Sequence, residues 1–193
     1  MSGVLSIPRA PERLALPIDH FWDGRPCPRA RLHGRVELSA RDDALELVAH
    51  LPHQPAPRLP PAPLGDRVSN LWEYDVVECF LVGAGGHYLE VELGAGGHFL
   101  VLSFSAPRVR SDGHESFRPE LDFTSDTRAW RSRILLDWEL VPPAVERLNA
   151  FAIAGGAHLA YGALPGPAPD FHQPARFPRA RLDEAPRVVE RRE

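Results

Sequence analysis

The sequence predicts an all-β fold, a two-sheet antiparallel β-sandwich with at most one or two short helices. Three observations point there. Twenty-one prolines and fifteen glycines among 193 residues interrupt any long helix and supply many turns. From Tyr74 to Phe104, three apolar-rich segments are separated by two copies of Gly-Ala-Gly-Gly, at 83–86 and 94–97, the pattern of a β-meander. Further short alternating segments recur on both sides of that stretch, as sandwiches and barrels require. Hydrophobic residues at 44% and charged residues at 25% give the balance of a folded chain rather than a disordered one. The length suits one domain with a real core, and no linker divides it. Residues 1–182 are therefore expected to form a single sandwich domain and residues 183–193 a charged tail.

Taken in order, Arg35–Ser39 and Ala44–Leu51 read as a hairpin around Arg41-Asp42-Asp43, with Leu45, Leu47, Ala49 and Leu51 alternating. The proline-rich segment 53–65 cannot join a central strand. Val76–Val82, Tyr88–Leu93 and Phe99–Phe104 are the meander strands. Ala129–Leu136 is a further strand. Pro142-Pro143 opens a candidate short helix ending near Leu148, since proline is tolerated in a first turn. Asn149–Ile153 and Leu159–Ala163 close the sheet pattern.

Alternation sorts the meander into two faces. Val77, Cys79 and Leu81 share one face with Leu89, Val91 and Leu93. Glu78 and Phe80 share the other with Tyr88, Glu90 and Glu92. A one-residue slip would carry the glutamates into the apolar face, so burial selects this register. On the same logic Leu100, Leu102 and Phe104 are expected on the aliphatic side, and Phe99 on the acidic one. The register sets Glu78 opposite or diagonal to Glu92, which destabilises a sheet unless something compensates. One reading is a polar ligand, an arginine or a hard cation such as calcium among the carboxyls; the other is a solvated outer face. Trp72 and Tyr74, at the loop leading into the meander, either pack or offer apolar surface to a ring-shaped ligand. Trp130 and Trp138 read as core.

Several chemistries find no pattern. All 22 basic residues are arginine, the net charge is −4, and no dense basic stripe exists, so no nucleic-acid partner is expected. The basic stretch Arg176–Arg192, broken by acidic residues, reads as solvated. No segment approaches the roughly 20 apolar residues of a membrane helix, and no signal-peptide pattern opens the chain; neither a membrane partner nor export is expected, and the expected location is cytoplasmic. Cys27 and Cys79 form no CxxC pair, and Cys79 reads as a buried free thiol. The histidine pairs His50/His53 and His87/His98 do not converge as zinc requires. No nucleophile elbow or phosphate-cradling glycine loop occurs, so no catalytic residue is assigned. Cross-strand glutamates would meet the spacing of a retaining glycosidase almost by default, which leaves a glycoside-processing enzyme as the alternative to a binding module. A protein-interaction module using the loop 53–65 is a third reading.

Three stretches carry a family resemblance. Leu71-Trp-Glu-Tyr-Asp-Val-Val-Glu-Cys-Phe-Leu81 with Tyr88-Leu-Glu-Val-Glu92, Trp130–Trp138 with Asn149-Ala-Phe-Ala-Ile153, and Asp170-Phe-His-Gln-Pro-Ala-Arg-Phe177 together resemble the family 9 carbohydrate-binding-module-like domains, also grouped as DOMON-like. With Asp19-His-Phe-Trp-Asp-Gly24 the run is still more similar to a group of uncharacterised single-domain proteins shared by animals and bacteria. The resemblance spans residues 18–182. It implies a jelly-roll sandwich, sugar binding in the better-known members, haem in some, and a structural calcium. Asp75 and Glu78 match the family's Asp-x-x-Glu, and His172 its late histidine. The expectation is thus a non-catalytic sandwich that binds a small polar ligand, a sugar first of all, through Trp72, Tyr74, Asp75, Glu78, Tyr88, Glu90, Glu92 and His172.

Overall fold

Alternating side chains become two antiparallel sheets in the computed structural model, which describes residues 3–183. The strands are β1 (Leu5–Ile7), β2 (Leu14–Ile18), β3 (His20–Phe21), β4 (Gly34–Ala40), β5 (Ala44–Pro52), β6 (Val76–Val82) and β7 (Tyr88–Gly94). They continue as β8 (Phe99–Ala106), β9 (Val109–Asp112), β10 (Leu121–Ser125), β11 (Ala129–Asp137), β12 (Arg147–Ala154), β13 (Ala157–Ala160) and β14 (Ala180–Leu182). One sheet runs β10-β11-β5-β4-β2, the other β3-β13-β12-β6-β7-β8-β9, and β1 pairs with β14 in a short parallel ribbon. Every helical turn among the described residues is a three-residue 3-10 turn.

The core lies between the sheets. Leu45, Leu47, Ala49 and Leu51 of β5 meet Val77, Cys79 and Leu81 of β6 and Leu89, Val91 and Leu93 of β7. Each fully buried aliphatic there contributes on the order of 1.5–3 kcal/mol. Trp130 is buried in the same core, and Trp138 packs beside it with its indole N–H donating to the Arg41 carbonyl. Both cysteines are buried and free, and burial pushes the Cys79 thiol up to about 12.

A second apolar layer covers the outer face of the seven-stranded sheet. Phe80, Tyr88, Phe104, Phe151, Phe171 and Phe177 belong to it. Phe151 stacks on Phe171 with centroids 4.1 Å apart, and Tyr88 on Phe104 at 4.6 Å. The 164–177 segment adds Leu164, Phe171 and Phe177 to the sheet's own aromatics, so the glutamates are buried and do not lie on a solvated outer face.

The strand bounds expected for β4 to β8, β11 and β12 agree with these to within two residues. Four expectations need correction. Leu100, Leu102 and Phe104 pair with Glu92, Glu90 and Tyr88 and so share the glutamate face, while Phe99 and Val101 point into the core. β8 is apolar on both sides, so burial could not choose its register; the turn does, with Gly94 donating to the His98 carbonyl at 2.8 Å and Gly97 at φ +72°. No helix follows Pro142. Ala144 has φ +51°, incompatible with a helical turn, and the Pro143 carbonyl instead accepts the Ala84 N–H. β13 ends at Ala160 rather than Ala163, because the buried Asn149 amide takes over from the ladder: its Oδ1 accepts the Gly162 N–H at 2.8 Å and its Nδ2 donates to the Gly162 carbonyl at 2.9 Å. The start of the supposedly solvated Arg176–Arg192 stretch is folded, with Phe177 buried and Ala180–Leu182 forming β14. Of the expected tail 183–193, Asp183 donates its N–H to the Ile7 carbonyl, and 184–193 lie outside the described residues.

Candidate functional site

A cavity of about 460 Å³ opens on the outer face of the seven-stranded sheet, within the range of about 300–1,000 Å³ common for small-ligand sites. It crosses six neighbouring strands: His158 from β13, Ile153 from β12, Glu78 from β6, Glu90 from β7, Leu102 and Phe104 from β8, and Arg110 from β9. Asn70 and Trp72 form one rim, Arg108 another, and the segment Pro169–His172 a third. Two rim residues have left-handed backbone, Asn70 at φ +58° and Arg108 at φ +60°. For arginine that conformation costs on the order of 1–2 kcal/mol, and it is held by the Arg108 N–H donating to the Tyr88 hydroxyl at 3.0 Å.

The floor is acidic. Glu78 and Glu92 stand directly opposite each other across β6 and β7, with Glu90 on the same face two residues from Glu92. All three are at most 3% exposed. Glu78 Oε1, Glu90 Oε2 and both Glu92 carboxyl oxygens lack a hydrogen-bond partner among the described residues. Burial pushes Glu78 well above the usual carboxylate range, and the neighbouring Glu90 adds to it. Burial does the same to Glu92, reinforced by Glu78 and Glu90 and opposed by the nearby Trp72 backbone N–H. Glu90 is raised to about 8 by burial, with Arg108 pulling the other way. At neutral pH the floor therefore carries protons rather than three full charges.

A hydrogen-bonded chain edges the floor. The Tyr88 hydroxyl accepts from Arg108 and lies 2.8 Å from His172 Nδ1. In the tautomer where the hydroxyl donates its proton to Nδ1, the His172 ring proton sits on Nε2. That nitrogen faces Glu90 Oε2 across 3.9 Å, a gap that a water or a ligand hydroxyl would span. Burial lowers His172 to about 4, aided by the Arg108 charge and opposed by Asp170, so the ring is neutral. Asp170 in turn accepts from the Arg108 guanidinium at 2.7 Å and from the His172 backbone at 3.1 Å.

The structure brings Trp72, Glu78, Glu90 and His172 to the cavity lining. Tyr88 and Glu92 lie directly behind that lining. Tyr74 is half-buried against the second apolar layer and outside the lining. Asp75 is elsewhere: its two carboxyl oxygens accept the Arg58 and Gly155 backbone N–H groups at 3.2 and 3.1 Å, tying the proline-rich loop to the β12–β13 turn. A calcium ion needs about six to eight oxygen ligands. Asp75 is already engaged by backbone donors and is not free to join Glu78, Glu90 and Glu92, the carboxyls among which calcium is one candidate, in holding such an ion. Among the described residues no group of three or more His, Cys, Asp or Glu is arranged to hold a metal ion. Arg108, Arg110, Asn70 and His158 were not foreseen. Asp170 was foreseen only as part of the closing segment, where its two-residue spacing from His172 was the available signal.

No family model matches the sequence. The human UPF0462 protein C4orf33 is 34% identical over 171 residues, covering 80% of this chain and 81% of that protein. Among solved structures, a Bacteroides uniformis protein proposed to bind carbohydrate superposes with a TM-score of 0.71 at 12% identity, over 95% of this chain and all of that one. A family 9 carbohydrate-binding module from Caldicellulosiruptor kristjanssonii, solved with glucose, gives 0.58 at 11% identity, over 97% of this chain and all of that one. At those identities the structures establish a shared fold.

Proposed function

This chain belongs to the UPF0462 family, and from its cavity we propose that it is a non-catalytic binding protein for a small polyhydroxylated ligand, a sugar. The observation that carries the reading is the cavity's composition. An exposed indole stands at the rim, 41% accessible at Trp72, above a floor of buried carboxyls with unpartnered oxygens. An aromatic face for a sugar ring and hydrogen-bonding groups for its hydroxyls are what a carbohydrate site combines. The glucose-bound module of the same fold supports the reading by analogy alone.

Binding is favoured over glycoside hydrolysis by the state of the carboxyls. A retaining mechanism needs one ionised nucleophile beside a protonated acid. Burial raises Glu78, Glu90 and Glu92 together, so the floor carboxyls do not divide into an ionised and a protonated partner, and the remaining lining carboxyl, Asp170, is held by Arg108. The test is thermal denaturation of the full chain with a panel of mono- and disaccharides. A sugar that binds raises the melting temperature in proportion to occupancy; a panel with no effect at millimolar concentration defeats the reading.

A further inference from the structure

The protein handles buried glutamates in two contrasting ways. On the outer face of the five-stranded sheet, Glu46 of β5 is held by Arg133 at 2.7 Å, by Arg41 at 3.5 Å and by Arg13. On the cavity face, three buried glutamates have no such partner among the described residues. Arg108, whose charge acts on Glu90, is committed to Asp170 at 2.7 Å. The unpartnered Glu78 Oε1 and Glu90 Oε2 belong to side chains lining the cavity, each at least 97% buried. Buried carboxyls are ordinarily paired with a cation. Here the place of the cation is the cavity itself.

Resting on the sugar-binding reading, we propose that the preferred ligand is an amino sugar, whose primary ammonium group sits between the Glu78 and Glu90 carboxyls. An ammonium carries three N–H donors and no acceptor, which matches a floor made of carboxyl oxygens. It does not demand the tight ligand cage of a metal ion, and no such cage exists among the described residues. His172 offers its Nε2–H to a hydroxyl of the same ligand, and being neutral it sets no opposing charge beside the ammonium. Trp72 covers the ring. The groups surrounding Glu90 are Glu78 and Glu92 from the sheet, Tyr88 and His172 beside it, the Arg108–Asp170 pair at the rim, and Arg110 and His158 elsewhere in the lining. With Glu90 near 8, seating a cation at neutral pH ionises it, and its proton passes to the buffer.

Calorimetric titration of the full chain at pH 7 with glucosamine, glucose and N-acetylglucosamine, in two buffers of different ionisation heat, tests this. Glucosamine is expected to bind about ten-fold tighter or more than the other two, with up to one proton released per ligand. Equal affinity for glucosamine and glucose overturns the ammonium assignment and leaves sugar binding standing. Failure of all three, and of the wider sugar panel, removes the sugar reading itself. Glu90→Gln and Glu78→Gln are expected to erase the preference for glucosamine, with melting temperatures at pH 7 no lower than that of the parent protein. A preference that survives both substitutions overturns the proposal.

Discussion

Glu78 and Glu92 face one another across two central strands, side chains buried on the same side, with no cation among the described residues hydrogen-bonded to either. The arrangement persists because burial favours the protonated, uncharged form of both, and it makes the site's energetics depend on pH.

Glu90 gives the clearest pH signature. Its folded-state value of about 8 lies above the ordinary 4.5, so the unfolded chain releases the proton first. The stability tied to the protonated form is complete below about pH 4.5 and declines as pH rises toward 8. Glu90→Gln is therefore expected to melt like the parent protein at pH 4.5 and higher than it at pH 8. At about 1.4 kcal/mol per pH unit, the gain is on the order of a few kcal/mol. Melting curves across this range check it, and a constant difference at all pH values contradicts it.

His172 runs the other way. Its value falls from 6.5 to about 4 in the folded protein, so its contribution is complete above pH 6.5 and lost as pH drops toward 4. NMR titration is expected to show its ring shifts flat between pH 5 and 8. Tyr88→Phe removes the hydroxyl that joins the Arg108 backbone to His172 and is expected to cost roughly 1–3 kcal/mol by denaturant unfolding.

Glu46 is the counter-example among the buried carboxyls. Burial pushes it up, but hydrogen bonds from Arg133 and Arg13, with their charges, outweigh that and hold it below its ordinary value of 4.5. Its contribution is present above pH 4.5 and lost on acidification. Glu46→Gln is expected to cost roughly 2–3 kcal/mol at pH 7. That is less than the ~3–5 for breaking a fully buried pair, because the Arg13 side chain is 35% exposed and solvent screens it. The sign is opposite to that of Glu90→Gln at pH 8, and urea unfolding of the two variants side by side measures it.

Trp72→Ala is expected to leave the melting temperature within a degree or two, as an exposed side chain allows, while weakening sugar binding by about 1–2 kcal/mol. A large loss of stability would make Trp72 a packing residue instead.

Much of this was legible in the sequence. Strands with one polar and one apolar side, β6 and β7 above all, announce both their bounds and their register, because only one alignment keeps Glu78, Glu90 and Glu92 out of the core. β8, apolar on both sides from Phe99 to Leu102, gives no such choice, and its facing was decided by the Gly94–His98 turn. The site was partly visible for the same reason. Glu78, Glu90 and Trp72 lie within a short span, and His172 was indicated by a resemblance. Arg108 and Asp170 meet across 62 residues of sequence, a pairing that no local pattern encodes. Asp75 was indicated by the resemblance's Asp-x-x-Glu, and its backbone partners, Arg58 and Gly155, lie 17 and 80 residues away in sequence, beyond any local pattern.

The cover over the cavity is a loop and not a strand. The 164–177 segment is fastened to the sheet by the Arg108–Asp170 pair, the Tyr88–His172 bond and the Phe151–Phe171 stack, with no ladder of its own. A molecule lodged beneath it would bridge the middle of the chain to its last quarter. Occupancy would then be written into amide hydrogen–deuterium exchange: slowed in 164–177 and around Arg108, unchanged in the five-stranded sheet on the far side.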